Sequence, residues 1–382
     1  MPKETKLRRS FEWRELTEAA NKILAMSFQN GGKKMVEEFH AKFVEYERVD
    51  KKQHECCSST VGYSRYPDLR CWKDLLLAFS RPQLIHQNLI LHLRDQILCG
   101  MAPTPHEFGL HLSRLCGYGV GVIVSIGEDG QKEMIDPYID LKEGGMREYR
   151  MPSIRWFDTP AYSMENLELV QLWTRTVTDV KEYSFIQYQL DLVAFFAGNE
   201  NRPKKECSRR IDLIHIYEWP EKNVPSRPSF LAEIIERVNS LLSKKRTRYW
   251  YPEDKPRGWG PQWFERDLAV LVHCVDGQFR SPAFTVMLIC NSRITRLNRV
   301  RSPIDIMKFV RSYRYYAWVG DEEKAFAHIQ LIYAVVATCF DRIVAGVRET
   351  VSKKPRLHTR KIVKQSLMQG TLKDSEDKPQ KK

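Results

Sequence analysis

One short segment strongly limits what this chain can fold into. It joins an apolar run, a loop bearing a cysteine and an arginine, and a second apolar run, and reads "AVLVHCVDGQFRSPAFTVML" over residues 269–288. The β-branched residues before Cys274 predict a buried strand, and the apolar spacing after Arg280 predicts a helix. We therefore expect a buried strand to deliver Cys274 to a loop and a helix to begin directly after Arg280.

The loop is suited to bind a phosphate-type anion. Backbone N–H groups at a helix N-terminus point into such a loop and carry about half a positive charge. Successive amides form a concave anion site, and Gly277 permits close approach of the backbone. Arg280 can hold two phosphate oxygens with its planar guanidinium. The same field favours the thiolate of Cys274, which makes it a candidate in-line nucleophile that forms a phosphocysteine.

Such a transfer also needs an acid that protonates the leaving oxygen. The segment "WPEKNVP" lies on a predicted loop before a helix, and Glu221 is its candidate acid. Three plainer interpretations stay open. In the first, Cys274 is an ordinary core cysteine. In the second, Arg280 only anchors the loop through a salt bridge to an acid of the Glu221 loop. In the third, Glu221 is a solvated loop residue.

Several motifs together resemble those of the tyrosine-specific protein tyrosine phosphatases. "VHCVDGQFRS" resembles the signature loop HCSAGxGR followed by Ser or Thr, and "WPEKNVP" resembles the WPD acid loop. "SRYPDLRC" is similar to the phosphotyrosine-recognition loop KNRYxD. The segments "LIHQNLI", "MAPTPHEFGLHLSRL" and "YGVGVIVSI" resemble three further family segments. The matches occur in family order over roughly residues 30–345.

The resemblance implies one α/β domain, a twisted mixed β-sheet flanked by helices. It implies that Cys274 is the nucleophile, Arg280 the phosphate-binding residue and Glu221 the general acid. The other site residues that it implies are Ser281 and His273 in the signature loop, Gly277 at the phosphate, Tyr66 against the phosphotyrosine ring and Asp68 on the substrate backbone. His273 is expected to hold the loop by hydrogen bonds, and Tyr66 has a packing role as its alternative.

The sequence departs from the family pattern at the chemistry itself, so the signature loop is degraded. The departing residues are Val275, Asp276 and Phe279 in that loop, Glu221 in place of an aspartate, and Gly320 and Lys324 where the family has two glutamines that orient the hydrolytic water. Two unit charges about 6 Å apart at an effective dielectric near 20 repel by roughly 3 kcal/mol, or about a hundredfold in affinity or rate. We therefore expect Asp276 to oppose a phosphate dianion, and Phe279 to add bulk where the backbone must approach it.

These departures lead to three functional hypotheses. The first is a pseudophosphatase that recognises phosphotyrosine in proteins with impaired or absent catalysis. The second is an active protein-tyrosine phosphatase that hydrolyses phosphotyrosine through a phosphocysteine. The third is a signalling scaffold that acts through its basic segments. None of the three requires a cofactor or a metal ion.

Composition sets the domain limits and the expected environment. The 382 residues carry a net charge of +13, of which +7 lies in residues 353–382 and +4 in residues 243–263. We expect a basic N-terminal segment over 1–20, the phosphatase-like domain over 21–346 with a Trp-rich insertion at about 243–263, and a disordered basic tail over 347–382. The tail either binds an acidic partner or only aids solubility, and the insertion either binds nucleic acid or packs its own tryptophans.

The apolar runs and the cysteines favour a cytoplasmic protein. The apolar runs are too short to predict a transmembrane segment, and the basic start has no apolar stretch after it, as a secretory signal would. The nine cysteines are scattered without CxxC pairs, and Cys56 and Cys57 are adjacent. This spacing favours reduced thiols over zinc ligands or disulfides.

The periodicity along the chain predicts the main elements. Strands are predicted at "VGVIVSI", "LELVQLWTRTV", "FIQYQLDLVAFF", "IDLIHIYEW" and "LAVLVHC". Helices are predicted at about 16–48, 105–118, over "SFLAEIIERVNSLLS" and "SPAFTVMLICNSRI", and at about 303–314 and 321–346.

Overall fold

The structure is a computed structural model, and it describes most of the chain between residues 76 and 353. The described residues are 18, 22, 25, 31, 34, 37–38, 56–57, 71–72, 76–80, 83–92, 95–104, 108–117, 119–128, 138, 143–150, 167–196, 205–248, 269–297, 301–314 and 316–353.

In the described part of the chain, nine strands form one mixed sheet, in the order β3-β4-β5-β11-β6-β10-β9-β8-β7, and β1 and β2 pair separately. The strands are β1 Cys56–Cys57, β2 Cys71–Trp72, β3 Leu76–Ser80, β4 Gln83–His92, β5 Asp95–Met101, β6 Val120–Ile126, β7 Met146–Arg150, β8 Leu167–Val180, β9 Phe185–Phe196, β10 Lys205–Ile216 and β11 Ala269–Cys274. The four central strands β5, β11, β6 and β10 run parallel, and the outer pairs are antiparallel.

Within the described residues, five continuous helices cover this sheet. They are α1 Phe108–Gly117, α2 Ser229–Arg248, α3 Arg280–Leu297, α4 Pro303–Tyr313 and α5 Glu322–Lys353. An apolar cluster on one face of the sheet joins residues of α2, α3, α4 and α5, and a second cluster on the other face contains residues of α1. Burial on both faces explains why the central strand β11 is wholly apolar up to its last two residues.

This position of β11 creates the candidate site. Because β11 lies between the parallel strands β5 and β6, its C-terminal end opens at the same edge of the sheet as theirs. Ligands bind outside the carboxyl ends of such strands in open α/β sheets. Helix α3 begins six residues after β11 ends, so Cys274 and the N-terminus of α3 face one loop.

The fold predicted from the sequence, a twisted mixed sheet flanked by helices, is confirmed. The helix predicted over "SFLAEIIERVNSLLS" continues to Arg248, so the first residues of the predicted insertion at 243–263 are helical. The rest of that insertion, most of the predicted helix at 16–48 and the tail beyond 353 lie outside the described residues.

The helix α5 is the most apolar long helix in the described part of the chain. Its segment Glu322–Ala345 has a mean hydropathy of 1.3 and is long enough to cross a membrane. Slightly more than half of this segment, 56%, is buried within the protein, and its buried apolar residues belong to the larger apolar cluster. This packing is that of a core helix.

Candidate active site

Cys274 is the last residue of β11, and its thiol is fully buried at the loop. The backbone N–H of Gly277 donates to its Sγ at 3.1 Å. The Sγ atom also lies 3.4 Å from the hydroxyl of Ser281 and 3.3 Å from Oδ1 of Asp276. The Ser281 hydroxyl in turn donates to the carbonyl of Gly100 on β5, which fixes its orientation.

The surroundings of Cys274 oppose the thiolate. Burial, and after it the Asp276 carboxylate, raise the pKa of the thiol to about 11, although Arg280 and Ser281 act in the opposite direction. With that pKa, about one molecule in ten thousand carries the thiolate at pH 7. Since the thiolate is the nucleophile, this site is poorly prepared for attack on phosphorus.

Asp276 places a carboxylate inside the loop, where the family pattern has a small residue. Its Oδ1 accepts the backbone N–H of Gln278 at 2.9 Å. The residue is only 9% exposed, so this charge is largely removed from solvent. One amide that points into the loop is therefore already bonded to an anion that belongs to the protein itself.

Arg280 joins the signature loop to the loop that bears Glu221. It is the first residue of α3, and only 1% of it is exposed. Its Nη1 donates to the carbonyl of Trp219 at 2.9 Å. Trp219 itself is fully buried, and its backbone N–H donates to the carbonyl of Gly127 at 3.0 Å. The guanidinium therefore holds the "WPEKNVP" loop at the mouth of the site through a backbone carbonyl.

Glu221 occupies that loop as the candidate acid and is half-buried. Its backbone N–H donates to Oε2 of Glu128 at 3.1 Å, and Glu128 lies just beyond β6. The predicted substrate residues Tyr66 and Asp68 lie outside the described residues.

Gly277 fits a turn that a larger residue would disrupt. Its φ is +67°, and a Cβ there would lie 2.6 Å from the carbonyl carbon of Gly100 and 2.7 Å from the nitrogen of Met101. The fully buried Arg314 also packs on this turn, since its Nε donates to the Gly277 carbonyl and its Nη1 to Oδ1 of Asn88 at 2.9 Å. Arg314 is a supporting residue that the sequence analysis missed.

Phe279 fills the space between the signature loop and α5. The residue is 3% exposed, and its ring lies 5.5 Å from that of His328. The ammonium of Lys324 sits 4.2 Å from the centre of the Phe279 ring, in cation–π geometry. Val275 packs against Ala102, the residue after β5.

The segment before α5 closes the other side of the loop. The backbone N–H of Trp318 donates to the Gln278 carbonyl at 3.1 Å, and the Gln278 side chain donates to the carbonyl of Val319. Gly320 has a φ of +98°, and a Cβ there would lie 3.6 Å from Nε2 of Gln278. Gly320 therefore lies beside the side chain of Gln278, whereas Lys324 lies over Phe279.

A buried polar chain supports the loop from behind. The hydroxyl of Tyr138 lies 3.2 Å from Nε2 of His273 and 2.6 Å from Nε2 of His111 on α1. The rings of Tyr138 and His273 are stacked, with centroids 5.7 Å apart. His273 is fully buried and takes part in this hydrogen-bonded group, and its loop-holding role stays a prediction.

His328 is the second residue that the sequence analysis missed. It lies on α5 one turn after Lys324, is fully buried, and stacks on Trp219 with ring centroids 6.0 Å apart. Its spacing of four residues from Lys324 was a usable signal, because residues four apart lie on one face of a helix. The described residues include no group of three or more His, Cys, Asp or Glu side chains placed to hold a metal ion.

Comparison with known proteins agrees with this architecture. The chain matches the protein-family profile described as "Protein-tyrosine phosphatase" over residues 64–333. It is similar in fold to the crystal structure of the Trypanosoma cruzi protein tyrosine phosphatase TcPTP1, with a TM-score of 0.53 and 14% identity over 83% of this chain and 97% of the other. The structure of Trypanosoma brucei TbPTP1 gives a TM-score of 0.52 and 15% identity, over 81% of this chain and 94% of the other.

No curated protein gives a significant sequence match. The profile, however, spans well over half of the 382 residues and includes the signature loop at 274–281. The chain therefore belongs to the protein tyrosine phosphatase family.

Proposed function

We propose that this protein recognises phosphotyrosine in other proteins and hydrolyses it poorly or not at all. The carboxylate of Asp276 carries the proposal, since it accepts a hydrogen bond from the backbone N–H of Gln278 at 2.9 Å and lies 3.3 Å from the sulfur of Cys274. A phosphate that enters the loop must compete with this carboxylate for the amide and also approach its charge. A repulsion of roughly 3 kcal/mol corresponds to about a hundredfold loss in affinity or rate.

The protonated thiol supports the same proposal by a separate route. Attack on phosphorus requires the thiolate, and the pKa of Cys274 is raised to about 11. Binding needs no thiolate, because the amides and the Arg280 guanidinium supply the attraction for an anion. Impairment therefore falls more heavily on turnover than on recognition.

One observation favours the alternative of an active phosphatase. Arg280 holds the carbonyl of Trp219 at 2.9 Å, so the Glu221 loop is attached to the signature loop. An acid on that loop could protonate a leaving phenolate, while Cys274 acts as nucleophile and Ser281 stabilises the leaving sulfur in the second step. Cytoplasmic localisation, a signalling role and an acidic partner for the tail stay predictions from the sequence.

A peptide titration tests recognition without requiring catalysis. The full-length chain is titrated with a fluorescent phosphotyrosine peptide, with the unphosphorylated peptide as control. We expect binding that survives Cys274→Ser and is lost in Arg280→Met. Arg175→Met, which removes a half-exposed arginine paired with Asp191 on a distant strand, is the matched control and should bind normally. Binding that is unchanged in Arg280→Met would instead favour the scaffold hypothesis.

A turnover assay separates the first two hypotheses. We expect the wild-type chain to hydrolyse a generic aryl phosphate very slowly. Turnover comparable with active family members, abolished by Cys274→Ser, would contradict the proposed impairment and establish the active phosphatase.

A further inference from the structure

A charged surface at the C-terminal end of α3 takes no part in the candidate active site. Residues 293–301, which end α3 and lead to α4, contain four arginines and no acidic residue. Arg296 and Arg301 are exposed, and Leu297, beside Arg296, is 41% exposed. This surface, called here the arginine end of α3, combines positive charge with an exposed apolar side chain.

Three of these arginines surround His92, at the end of β4. Nη1 of Arg293 donates to Nε2 of His92 at 3.0 Å, and His92 is only 8% exposed. Burial, and after it the Arg293 charge, lower the pKa of this ring. The charges of Arg301 and Arg296 act in the same direction, and Asp95 acts against them. The ring is therefore neutral and does not offset the arginine charges.

Asp95 is an acidic side chain that lies against this surface. Its Oδ1 pairs with Arg296 at 2.8 Å, and the hydroxyl of Ser292 donates to its Oδ2 at 2.5 Å. Arg301 makes no ion pair with a carboxylate in the described part of the chain. The arginine end of α3 therefore keeps a net positive charge.

The helices α3 and α5 lie side by side and run in the same direction. Phe279, just before α3, lies 4.2 Å from the ammonium of Lys324 at the start of α5. Further along, the side chain of Asn291 on α3 hydrogen-bonds the thiol of Cys339 on α5. Beyond this pair, α3 continues for about 9 Å and α5 for about 21 Å to their last residues. Both helices therefore end on the side of the molecule away from the signature loop.

The chain that follows α5 adds further charge at this end. Residues 353–382 carry a net charge of +7, and they start where α5 ends. Arg296 lies about 24 Å along α3 from Arg280, so the signature loop is a full helix length away. A large anionic partner that contacts both basic segments therefore leaves the signature loop free.

We propose that the arginine end of α3 and the residues after α5 together bind a membrane surface that contains anionic lipids. Anionic headgroups attract Lys and Arg, and an apolar side chain such as Leu297 enters the headgroup region. A nucleic acid would match the charge but offers no apolar layer for this leucine. Bound in this way, the protein turns its signature loop away from the membrane, where phosphotyrosine proteins can reach it.

Vesicle sedimentation with the full-length chain tests the proposal. The protein is mixed with vesicles of phosphatidylcholine alone, or of phosphatidylcholine with phosphatidylserine, and the sedimented fraction is measured. We expect binding to the vesicles that contain phosphatidylserine and none to the neutral vesicles. Binding should weaken as the salt concentration rises, because ions screen these charges.

A pair of double variants locates the surface. We expect Arg296→Gln with Arg301→Gln to bind phosphatidylserine vesicles roughly thirtyfold more weakly than wild type. Arg175→Gln with Arg150→Gln is the matched control, which removes the same charge and should bind as wild type. Arg175 pairs with a carboxylate as Arg296 does, and Arg150 is exposed on β7 at the other end of the sheet. Thermal unfolding of each variant shows that it is folded.

A third variant separates a lipid surface from other polyanions. We expect Leu297→Ser to weaken vesicle binding by about fivefold, because less apolar surface is removed from water, while the salt dependence is kept. Binding of the phosphotyrosine peptide should be unchanged in Leu297→Ser and in the Arg296/Arg301 variant.

Three results would overturn the inference. The first is equal binding to neutral and anionic vesicles, and the second is an equal loss of binding in the Arg296/Arg301 variant and its control. The third is binding of a DNA duplex without binding of vesicles, which would identify a nucleic-acid surface instead. The phosphotyrosine-peptide titration of the wild type shows independently whether the proposed recognition function holds.

Discussion

At the scale of single residues, the protonation of Cys274 determines how much chemistry the loop can perform. Burial and the Asp276 carboxylate raise the pKa of this thiol to about 11. A family member prepared for catalysis needs the reverse, a thiolate stabilised by amides and a guanidinium. Here one carboxylate, bonded to the Gln278 amide, opposes that stabilisation.

The reactivity of Cys274 towards iodoacetamide should therefore be low at neutral pH and rise steeply as the pH approaches 11. Only the thiolate reacts, so the alkylation rate follows the thiolate fraction. In Asp276→Asn the rising limb should move to lower pH, because the second-largest cause of the raised pKa is removed. Alkylation is measured by mass spectrometry on the Cys274 peptide. Rapid alkylation at pH 7 in the wild type would contradict the proposed protonation state.

At the scale of elements, the turn between β11 and α3 depends on contacts from distant parts of the chain. Gly277 has a φ of +67° and lies against Gly100 and Met101 of β5 and against Arg314 after α4. The strand, the turn and the helix are local features, whereas these neighbours are set by how the chain packs.

We predict that Gly277→Ala lowers the free energy of unfolding by about 2–5 kcal/mol, because backbone strain and a steric clash act together. Gly144→Ala is the matched control, since its φ is +83° but a Cβ there meets nothing within 4 Å. In the control, backbone strain alone should lower the free energy of unfolding, by about 1 kcal/mol. Urea unfolding of both variants measures the difference, and equal losses would show that the packing around Gly277 is unimportant.

The difference between local features and contacts set by long-range packing also explains which parts of the site the sequence could predict. The strand ending at Cys274 and the helix starting near Arg280 follow from local apolar periodicity, and both are confirmed. Arg314 could not be placed, because its proximity to the loop arises from long-range packing. For His328 the sequence offered only its four-residue spacing from Lys324, and its contact with Trp219 arises from the packing of α5. The position of the Asp276 carboxylate, directed at the Gln278 amide, depends on a side-chain orientation that no spacing specifies.

At the scale of the whole molecule, two buried histidines link stability to pH. Burial is the largest cause that lowers the pKa values of His215 and His328 to about 4, from an ordinary value of 6.5. Between pH 6.5 and 4 the unfolded chain binds protons that the folded protein does not. The unfolding free energy therefore falls as the pH falls through this window, by about 3 kcal/mol for each histidine.

His215→Gln should flatten this pH dependence. His215 lies on β10 against Ser125 of β6, away from the signature loop, so its removal tests stability without altering the candidate active site. We expect the fall in unfolding free energy between pH 6.5 and 4 to be smaller in the variant by about 3 kcal/mol. Chemical denaturation at a series of pH values measures the unfolding free energy. If its dependence on pH is the same in wild type and variant, His215 is not a source of the fall.

The comparison of orthovanadate affinity between the wild-type chain and Asp276→Asn tests the central claim most directly. Asparagine keeps the size of the side chain and an oxygen for the Gln278 amide but removes the charge. We predict that vanadate binds the variant more tightly by up to about a hundredfold, with little change in thermal stability. Equal affinities in the two proteins would show that the Asp276 charge does not limit anion binding.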